Sequence, residues 1–196
     1  MTGMAMEKKH IITIGGLPGS GKSSAASAVA KELGYAHFSS GDLFRKMAAE
    51  RGLSIEQMNF TAERQKELDE SVDALLRSIG EEKDNLVIDS RMAFHWIRES
   101  FKVFLRLDPV VAAGRVFAQV SAGERVSQTA TSSDQVLENT LARIESEKKR
   151  YRDLYGVDFT DAAQYDLVID TGTNDLQRVV AIIVQAYRVW LGAAAA

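Results

Sequence analysis

The feature that most constrains the fold is a glycine-rich segment close to the N-terminus. Residues 16–23 read GLPGSGKS and match the pattern G-x-x-x-x-G-K-[S/T]. The segment follows a strand-like apolar run, His10–Ile14, and precedes a helical pattern over Lys22–Leu33, which is the context that this motif requires. Glycines let the chain wrap so that backbone N–H groups and the start of a helix face bound phosphates. The segment therefore predicts a phosphate-binding loop for a nucleoside triphosphate.

Two side chains of this loop have expected chemical roles. Lys22 should reach the β- and γ-phosphates of ATP, and the Ser23 hydroxyl should bind Mg²⁺. The alternative is a glycine-rich turn that carries a surface lysine. The expected ATP-binding residues are Gly16, Leu17, Pro18, Gly19, Ser20, Gly21, Lys22, Ser23 and Ser24.

Other signatures narrow the class of phosphate-loop protein. The chain has no N-K-x-D segment, with which a GTPase reads guanine, and no LSGGQ segment of the transport ATPases. With 196 residues and the loop close to its start, the chain has the pattern of a small-molecule kinase.

Short apolar runs alternate with helical patterns along the chain. The runs show little internal alternation, which is typical of strands buried on both faces of a parallel sheet. They are His10–Ile14, Tyr35–Ser39, Leu86–Asp89, Lys102–Leu107 and Leu167–Asp170. The helical patterns cover Lys22–Leu33, Asp42–Glu50, 68–79, Ala112–Val120, Val136–Tyr155 and 176–191. This order predicts a three-layer α/β/α fold with right-handed crossovers.

Two connections are longer than this alternation requires. Residues 40–84 are too long for one crossover, and we expect two helices there. Residues 121–135, SAGERVSQTATSSDQ, are small and polar and predict a mobile loop. Both connections leave the sheet at the C-terminal ends of strands, where open α/β sheets bind ligands.

Charged residues follow the second and third strand-like runs. Ser40 or Asp42 could cap the next helix, and Arg45 would then lie in its first turn, against the helix dipole. That position indicates a ligand-directed arginine, with an exposed arginine on a solvated face as the alternative.

Asp89 could hold Mg²⁺ through water, or cap its strand. Arg91 could bind a phosphate with its planar fork of donors, or pair with Asp89.

The long helical pattern near residue 145 carries a cluster of arginines. Arg143 and Arg150 are seven residues apart and would share a helix face, roughly 10 Å from each other. With Arg125 from the preceding loop, they could close over transferring phosphates. Glu147 lies between them at helical spacing and offers the alternative of a surface ion-pair ladder.

Composition sets limits on partners and location. The formal net charge is −3, which gives no basic field for nucleic acid or a membrane surface. No apolar run approaches the ~18 residues of a transmembrane helix, and MTGMAMEKKH lacks the apolar core of a signal peptide. Cysteine is absent, which excludes disulfides and thiolate metal sites. We expect a cytoplasmic protein, monomeric by default, with no nucleic-acid or membrane partner.

The ordered set of motifs resembles the nucleoside monophosphate kinases, and most closely the archaeal-like cytidylate kinases. The resemblance spans about residues 10 to 175 and is far more specific than the phosphate loop alone. It rests on GLPGSGKSS, SSGDLFRKMAAERGLS, VIDSRMA, RIESEKKRYRDLYGVD and YDLVIDTG.

The resemblance implies one phosphate-loop kinase domain over residues 1–196, with a five-stranded parallel sheet in the order 2-3-1-4-5. It implies an acceptor-binding insertion at 40–84 and a lid at 120–152. Its implied reaction carries a phosphoryl group from ATP to CMP or dCMP with Mg²⁺. The implied catalytic residues are Lys22, Arg91, Arg143 and Arg150. The implied acceptor ligands are Ser40, Asp42, Arg45 and Arg91, the lid arginines Arg125, Arg143 and Arg150, and the metal ligands Ser23 and Asp89.

One residue departs from the pattern of the bacterial cytidylate kinases. They carry an aspartate that reads the cytosine amino group directly after the arginine, whereas this chain has Met92. A thioether is only a weak acceptor, so cytosine must be read elsewhere, by backbone or by Asp69 and Asp73 of the insertion. A kinase for UMP, AMP or a metabolite hydroxyl, and a nucleotide-binding regulatory module, are the alternative functions.

Overall fold

The computed structural model describes residues 9–122 and 132–192. The strands are β1 (Ile11–Gly16), β2 (Ala36–Ser39), β3 (Leu86–Asp89), β4 (Phe101–Arg106) and β5 (Leu167–Asp170). The helices are α1 (Lys22–Leu33), α2 (Ser40–Glu50), α3 (Ile55–Arg64), α4 (Lys66–Glu82), α5 (Ala93–Trp96), α6 (Pro109–Ser121), α7 (Ser133–Tyr155) and α8 (Leu176–Gly192). A short 3₁₀ helix covers Ala162–Gln164.

The strands form one parallel sheet in the order β2-β3-β1-β4-β5, which confirms the expected order. Every residue of β1 and β3 is buried, as their continuous apolar runs predict. The edge strand β2 begins with exposed residues and is buried only at Ser39. Because β1 lies in the middle of the sheet, the segment that follows it lies at the middle of the edge formed by the C-terminal strand ends.

Helices cover both faces of the sheet, which confirms the three layers. Successive strand side chains point to opposite faces, so Val87 joins the core beneath α1 and α8, while Ile88 packs beneath α4 and α5. Tyr187 of α8 is fully buried in the first core, and Leu76 of α4 in the second.

The segment between β2 and β3 differs from the expectation of two helices, because it contains three. The helix α2 ends before Gly52, which has a φ of 65°. The helix α3 begins at a capping box formed by Ser54 and Gln57. The cap of α2 is the hydroxyl of Ser39, which accepts from the backbone N–H of Asp42, so the expected capping by Ser40 or Asp42 is wrong.

The predicted loop 121–135 is only partly described. Residues 123–131, with the candidate lid residue Arg125, lie outside the described residues. The helix α7 begins at Ser133, so the last part of the predicted loop is helical. Within the two described stretches, no helix combines the length and apolar character needed to cross a membrane.

Candidate active site

The phosphate loop joins β1 to α1, and its backbone requires glycine at two points. Gly21 precedes α1 with a φ of 82°, and it provides no side-chain cap for the helix. The first N–H groups of α1 are therefore available to a ligand. Gly19 has a φ of 80°, and a Cβ there would lie 2.6 Å from the carbonyl oxygen of Ala112. Any larger residue would be strained and would collide with the start of α6.

Lys22 lies at the start of α1 and is directed back over the loop. Its Nζ donates a hydrogen bond to the carbonyl oxygen of Leu17 at 3.0 Å. Burial, and secondarily the charge of Arg91, hold the pKa of the Lys22 ammonium well below its usual value. A buried ammonium near another cation is stabilised when an anion binds, so the position suits a phosphate.

A large pocket of about 440 Å³ opens above this loop. The phosphate loop forms its floor, and the ends of β2 and β3 with part of α7 form one wall. The charged and polar residues of that wall are Ser40, Arg45, Asp89, Ser90, Arg91 and Arg143. The loop and the candidate acceptor-side residues therefore share one space.

Asp89 lies at the end of β3, where parallel strand ends meet. The register pairs it with Ile14 of β1 and with Ser39 of β2. Its Oδ1 accepts hydrogen bonds from Ser39 at 3.0 Å and from Ser23 at 3.3 Å, and His37 Nε2 lies 3.0 Å from its Oδ2. Asp89 therefore contacts the serine of the phosphate loop, and it is not merely a strand cap.

Arg91 pairs with Glu147 of α7, and not with Asp89. The other oxygen of Glu147 accepts from Arg143 Nε at 2.9 Å. The Glu147 side chain is only 3% exposed, so the surface ladder that was the alternative is not formed, and Arg91, Glu147 and Arg143 make a buried ion triad. Burial alone would raise the pKa of Glu147, but Arg91 and Arg143 together hold it below its usual value. One carboxylate thus fixes two arginines at the pocket wall.

Arg150 is separated from this triad and does not line the large pocket. Its Nε donates to Asp69 of α4 at 2.9 Å, and its Nη1 donates to the Asn59 carbonyl oxygen of α3 at 3.2 Å. Burial raises the pKa of Asp69 to about 6 although Arg150 opposes the shift. The catalytic role expected for Arg150 stays a prediction, and in this structure the side chain ties α7 to α3 and α4.

The remaining acceptor-side candidates occupy different positions. Ser40 lines the large pocket and donates to the Asp89 carbonyl oxygen at 3.4 Å. Arg45 also lines it, with its guanidinium paired to Asp42. The Asp42 side chain is 68% exposed and does not line the large pocket. Asp42 therefore orients Arg45, and its direct contact with a ligand is not supported by its position.

The sequence patterns did not predict the residues that line the far side of the large pocket. Arg115 and Gln119 of α6, with Thr171 and Asn174 after β5, line that side. Arg115 Nη2 donates to the Thr171 carbonyl oxygen at 2.7 Å, which joins α6 to the end of β5. The end of β5 was a usable signal, because ligands bind at the C-terminal ends of parallel strands.

The fold and this pocket define a class of protein. A parallel sheet with a phosphate loop after its central strand, and arginines facing that loop, is the arrangement of a phosphate-loop kinase. A family model described as an AAA domain matches residues 15–154. The chain is therefore a phosphotransferase of the phosphate-loop class.

Curated relatives identify the family. The cytidylate kinase of Methanothrix thermoacetophila is 35% identical over 178 residues, which cover 91% of this chain and 98% of the relative. The cytidylate kinase of Methanocaldococcus jannaschii is 34% identical and covers 90% of this chain and 96% of its own. The chain belongs to the cytidylate kinase family.

Solved structures support the fold alone. The shikimate kinase of Bacteroides thetaiotaomicron superposes with a TM-score of 0.62 at 15% identity, covering 92% of this chain and 97% of its own. A shikimate kinase from Acinetobacter baumannii, solved in complex with shikimate, gives a TM-score of 0.57 at 13% identity, covering 93% and 94%.

Proposed function

We propose that the protein transfers the γ-phosphoryl group of ATP to CMP or dCMP, giving ADP and CDP or dCDP. The observation that carries this proposal is the shared large pocket, which has the phosphate loop on one side and Arg45, Arg91 and Arg143 on the other. Donor and acceptor phosphates can meet in that space. The choice of cytosine as the base rests on membership of the cytidylate kinase family.

The donor side holds the leaving nucleotide. The N–H groups at the start of α1 and the Lys22 ammonium bind the β- and γ-phosphates. The Ser20 hydroxyl is buried and has no hydrogen-bond partner among the described residues, so it is available to the same anion. Arg115 and Asn174 also line the large pocket and would border the nucleoside of ATP.

Arginines on the acceptor side bind the monophosphate and the transferring group. Glu147 keeps Arg91 and Arg143 in place, so their charge is oriented before the substrates arrive. Arg45 lies on the same wall and is paired with Asp42. Positioning and charge stabilisation then supply most of the rate increase, as is usual for phosphoryl transfer.

The pocket fits an acceptor that needs no general base. A phosphomonoester has a second pKa near ~6 and is largely dianionic at pH 7, so it can attack directly. Among the described residues that line the large pocket, Asp89 is the single carboxylate. Because Ser23, Ser39 and His37 already surround it, Asp89 is poorly placed to take a proton from a substrate hydroxyl.

Mg²⁺ fits the same cluster. Ser23 supplies a hydroxyl and Asp89 a carboxylate 3.3 Å away, which are oxygen ligands of the kind that Mg²⁺ prefers. We propose that Ser23 binds the ion directly and Asp89 binds it through water. The ion would neutralise charge on the β- and γ-phosphate oxygens.

One experiment tests the function. Purified protein with ATP and Mg²⁺ is offered CMP, dCMP, UMP, AMP and GMP, and nucleoside diphosphate formation is measured. Fast turnover of CMP or dCMP is expected. Fast turnover of AMP but not CMP would overturn the cytidylate assignment. No turnover of any monophosphate would overturn the proposal as a whole and favour a metabolite kinase or a regulatory module.

A further inference from the structure

A small cavity of about 40 Å³ lies beyond Arg91, between α2, α3, α4 and α7. Met92 forms part of its wall and offers no strong hydrogen-bond acceptor. The other lining residues are Ser40, Gly41, Phe44, Asn59, Asp69, Val72, Asp73, Ser90, Arg91, Arg143, Glu147, Arg150 and Tyr151. Since Arg91 borders both this cavity and the large pocket, a monophosphate bound to Arg91 can direct its base into the small cavity.

The charged groups of this cavity are nearly all paired with one another. Glu147 pairs with Arg91 and Arg143. Asp69 pairs with Arg150, which removes it as a free acceptor for a base. Asp73 is the third carboxylate that lines the small cavity, and it forms no ion pair with the other described residues of the lining.

The Asp73 carboxylate is a buried hydrogen-bond acceptor with an unpaired oxygen. The residue is 3% exposed, and its Oδ2 has no hydrogen-bond partner among the described residues. Trp96 and Tyr155 flank the carboxylate and oppose the rise in its pKa that burial causes. Trp96 Nε1 and the Tyr155 hydroxyl are themselves buried without a hydrogen-bond partner among the described residues, so these two donors and Asp73 Oδ2 form one cluster of unpaired polar groups. A buried acceptor of this kind is unfavourable until a donor binds it.

We propose that the Asp73 carboxylate accepts a hydrogen bond from the exocyclic amino group of the pyrimidine base, and thereby selects an amino-pyrimidine over a keto-pyrimidine monophosphate. This inference rests on the proposed function. Cytosine presents an N–H₂ group at position 4, where uracil presents a carbonyl oxygen. A carbonyl opposite the carboxylate leaves the acceptor unpaired and places two partial negative charges in contact.

Size disfavours the larger bases that carry amino groups. The cavity is smaller than a pyrimidine ring in this structure, so α4 and α7 must separate for the base to enter. A purine would require a larger separation and the loss of more contacts, including the Arg150–Asp69 pair. Asp73 and the narrow cavity together therefore favour cytosine.

The test combines a protein change with a ligand change. The kcat/KM is measured for CMP and for pyrimidin-2-one riboside monophosphate, which lacks the amino group, with wild type and Asp73→Ala. Loss of the amino group should lower kcat/KM about 100-fold in the wild type, as expected for a hydrogen bond to a charged group. In Asp73→Ala the same loss should be less than about 5-fold, because the two changes share one interaction.

Glu70→Gln is the matched control, since Glu70 lies on an exposed face of the same helix. It should respond to the two ligands as the wild type does, and the KM for ATP should change in neither variant. An equal penalty for the missing amino group in wild type and Asp73→Ala would overturn the inference while the kinase activity stands. If Asp73→Ala does not fold, equal kcat/KM values of the wild type for the two ligands would overturn it. Absence of CMP turnover by the wild type would instead overturn the proposed function.

Discussion

The two sides of the large pocket are built in different ways. On the donor side, the key contacts join neighbours in sequence, such as Lys22 Nζ and the Leu17 carbonyl oxygen, five residues apart. On the acceptor side, the contacts join distant segments, such as Arg91 after β3 and Glu147 of α7. The phosphate-binding part of the donor side is thus built mainly from one short peptide, whereas the arginines of the acceptor side are held in place only when α7 packs against the rest of the chain.

The difference also lies in how charge is balanced. Among the described residues, no carboxylate is hydrogen-bonded to Lys22, whose Nζ donates to the Leu17 carbonyl oxygen. Arg91 and Arg143 are already neutralised in part by the buried Glu147. We therefore expect donor-side changes to impair the reaction without harming the fold, and acceptor-side changes to affect both.

The largest effect is expected at Lys22. Lys22→Ala should lower kcat about 10³-fold, because it removes an oriented positive charge from the transferring phosphoryl group. The melting temperature should be unchanged or higher, since burial of the ammonium disfavours its charged form. Steady-state kinetics and thermal unfolding check both parts. Lys31→Ala, on the exposed end of α1, is the control, and wild-type activity in Lys22→Ala would refute the donor-side account.

The next effect concerns stability. Glu147→Gln leaves Arg91 and Arg143 buried without their carboxylate and should lower the free energy of unfolding by about 3 kcal/mol. Saturating CMP should restore part of this loss, because its phosphate supplies negative charge to the same arginines. Urea unfolding with and without CMP measures both effects. Glu145→Gln changes the same charge at an exposed position of α7, and equal stability of the two variants would contradict a buried triad.

A substitution at Arg91 should affect the kinetics of the two substrates differently. Arg91→Ala should lower kcat/KM for CMP about 100-fold while it changes the KM for ATP little, because a bidentate arginine–phosphate contact is lost. Arg152→Ala, on an exposed part of α7, is the control. A change confined to the ATP dependence would show that Arg91 belongs to the donor side.

A smaller effect is expected at Arg45, which is half-exposed. Arg45→Ala should raise the KM for CMP about 10-fold, as for a charge-assisted hydrogen bond that is partly screened by water. The effect should weaken with added salt, and initial rates at two ionic strengths measure this. Arg51→Ala removes the charge at an exposed site just after α2. If the Arg45 variant matches it, Arg45 is a solvated surface residue.

Local sequence signals account for most of the fold. The bounds of α1, β3 and β5 follow directly from the pattern of apolar residues and glycines. The helix α3 was not predicted, because the helical pattern recognised in this segment began only at residue 68. No glycine or proline beside Gln65 marks the boundary between α3 and α4. The Ser54–Gln57 capping box was the available signal for the start of α3.

The sequence predicted many of the residues that line the site, including Arg45, Asp89, Arg91 and Arg143, but not how they pair. The glycine loop, Lys22 and Ser23 could be assigned from one motif, and the pocket lining includes them. The partner of Arg91 could not be predicted from the sequence, because Glu147 contacts Arg91 only when α7 packs against the end of β3. For the same reason the sequence left Asp69 and Asp73 equivalent as readers of the base. The pairing of Arg150 with Asp69 distinguishes them.

The central claim is that donor and acceptor phosphates meet in one pocket. A compound that joins adenosine and cytidine through five phosphates tests it most directly, by titration calorimetry against ATP and CMP alone. If both halves bind at once, linkage should make the compound bind at least about 100-fold more tightly than either nucleotide. Binding no tighter than that of ATP would contradict a shared pocket.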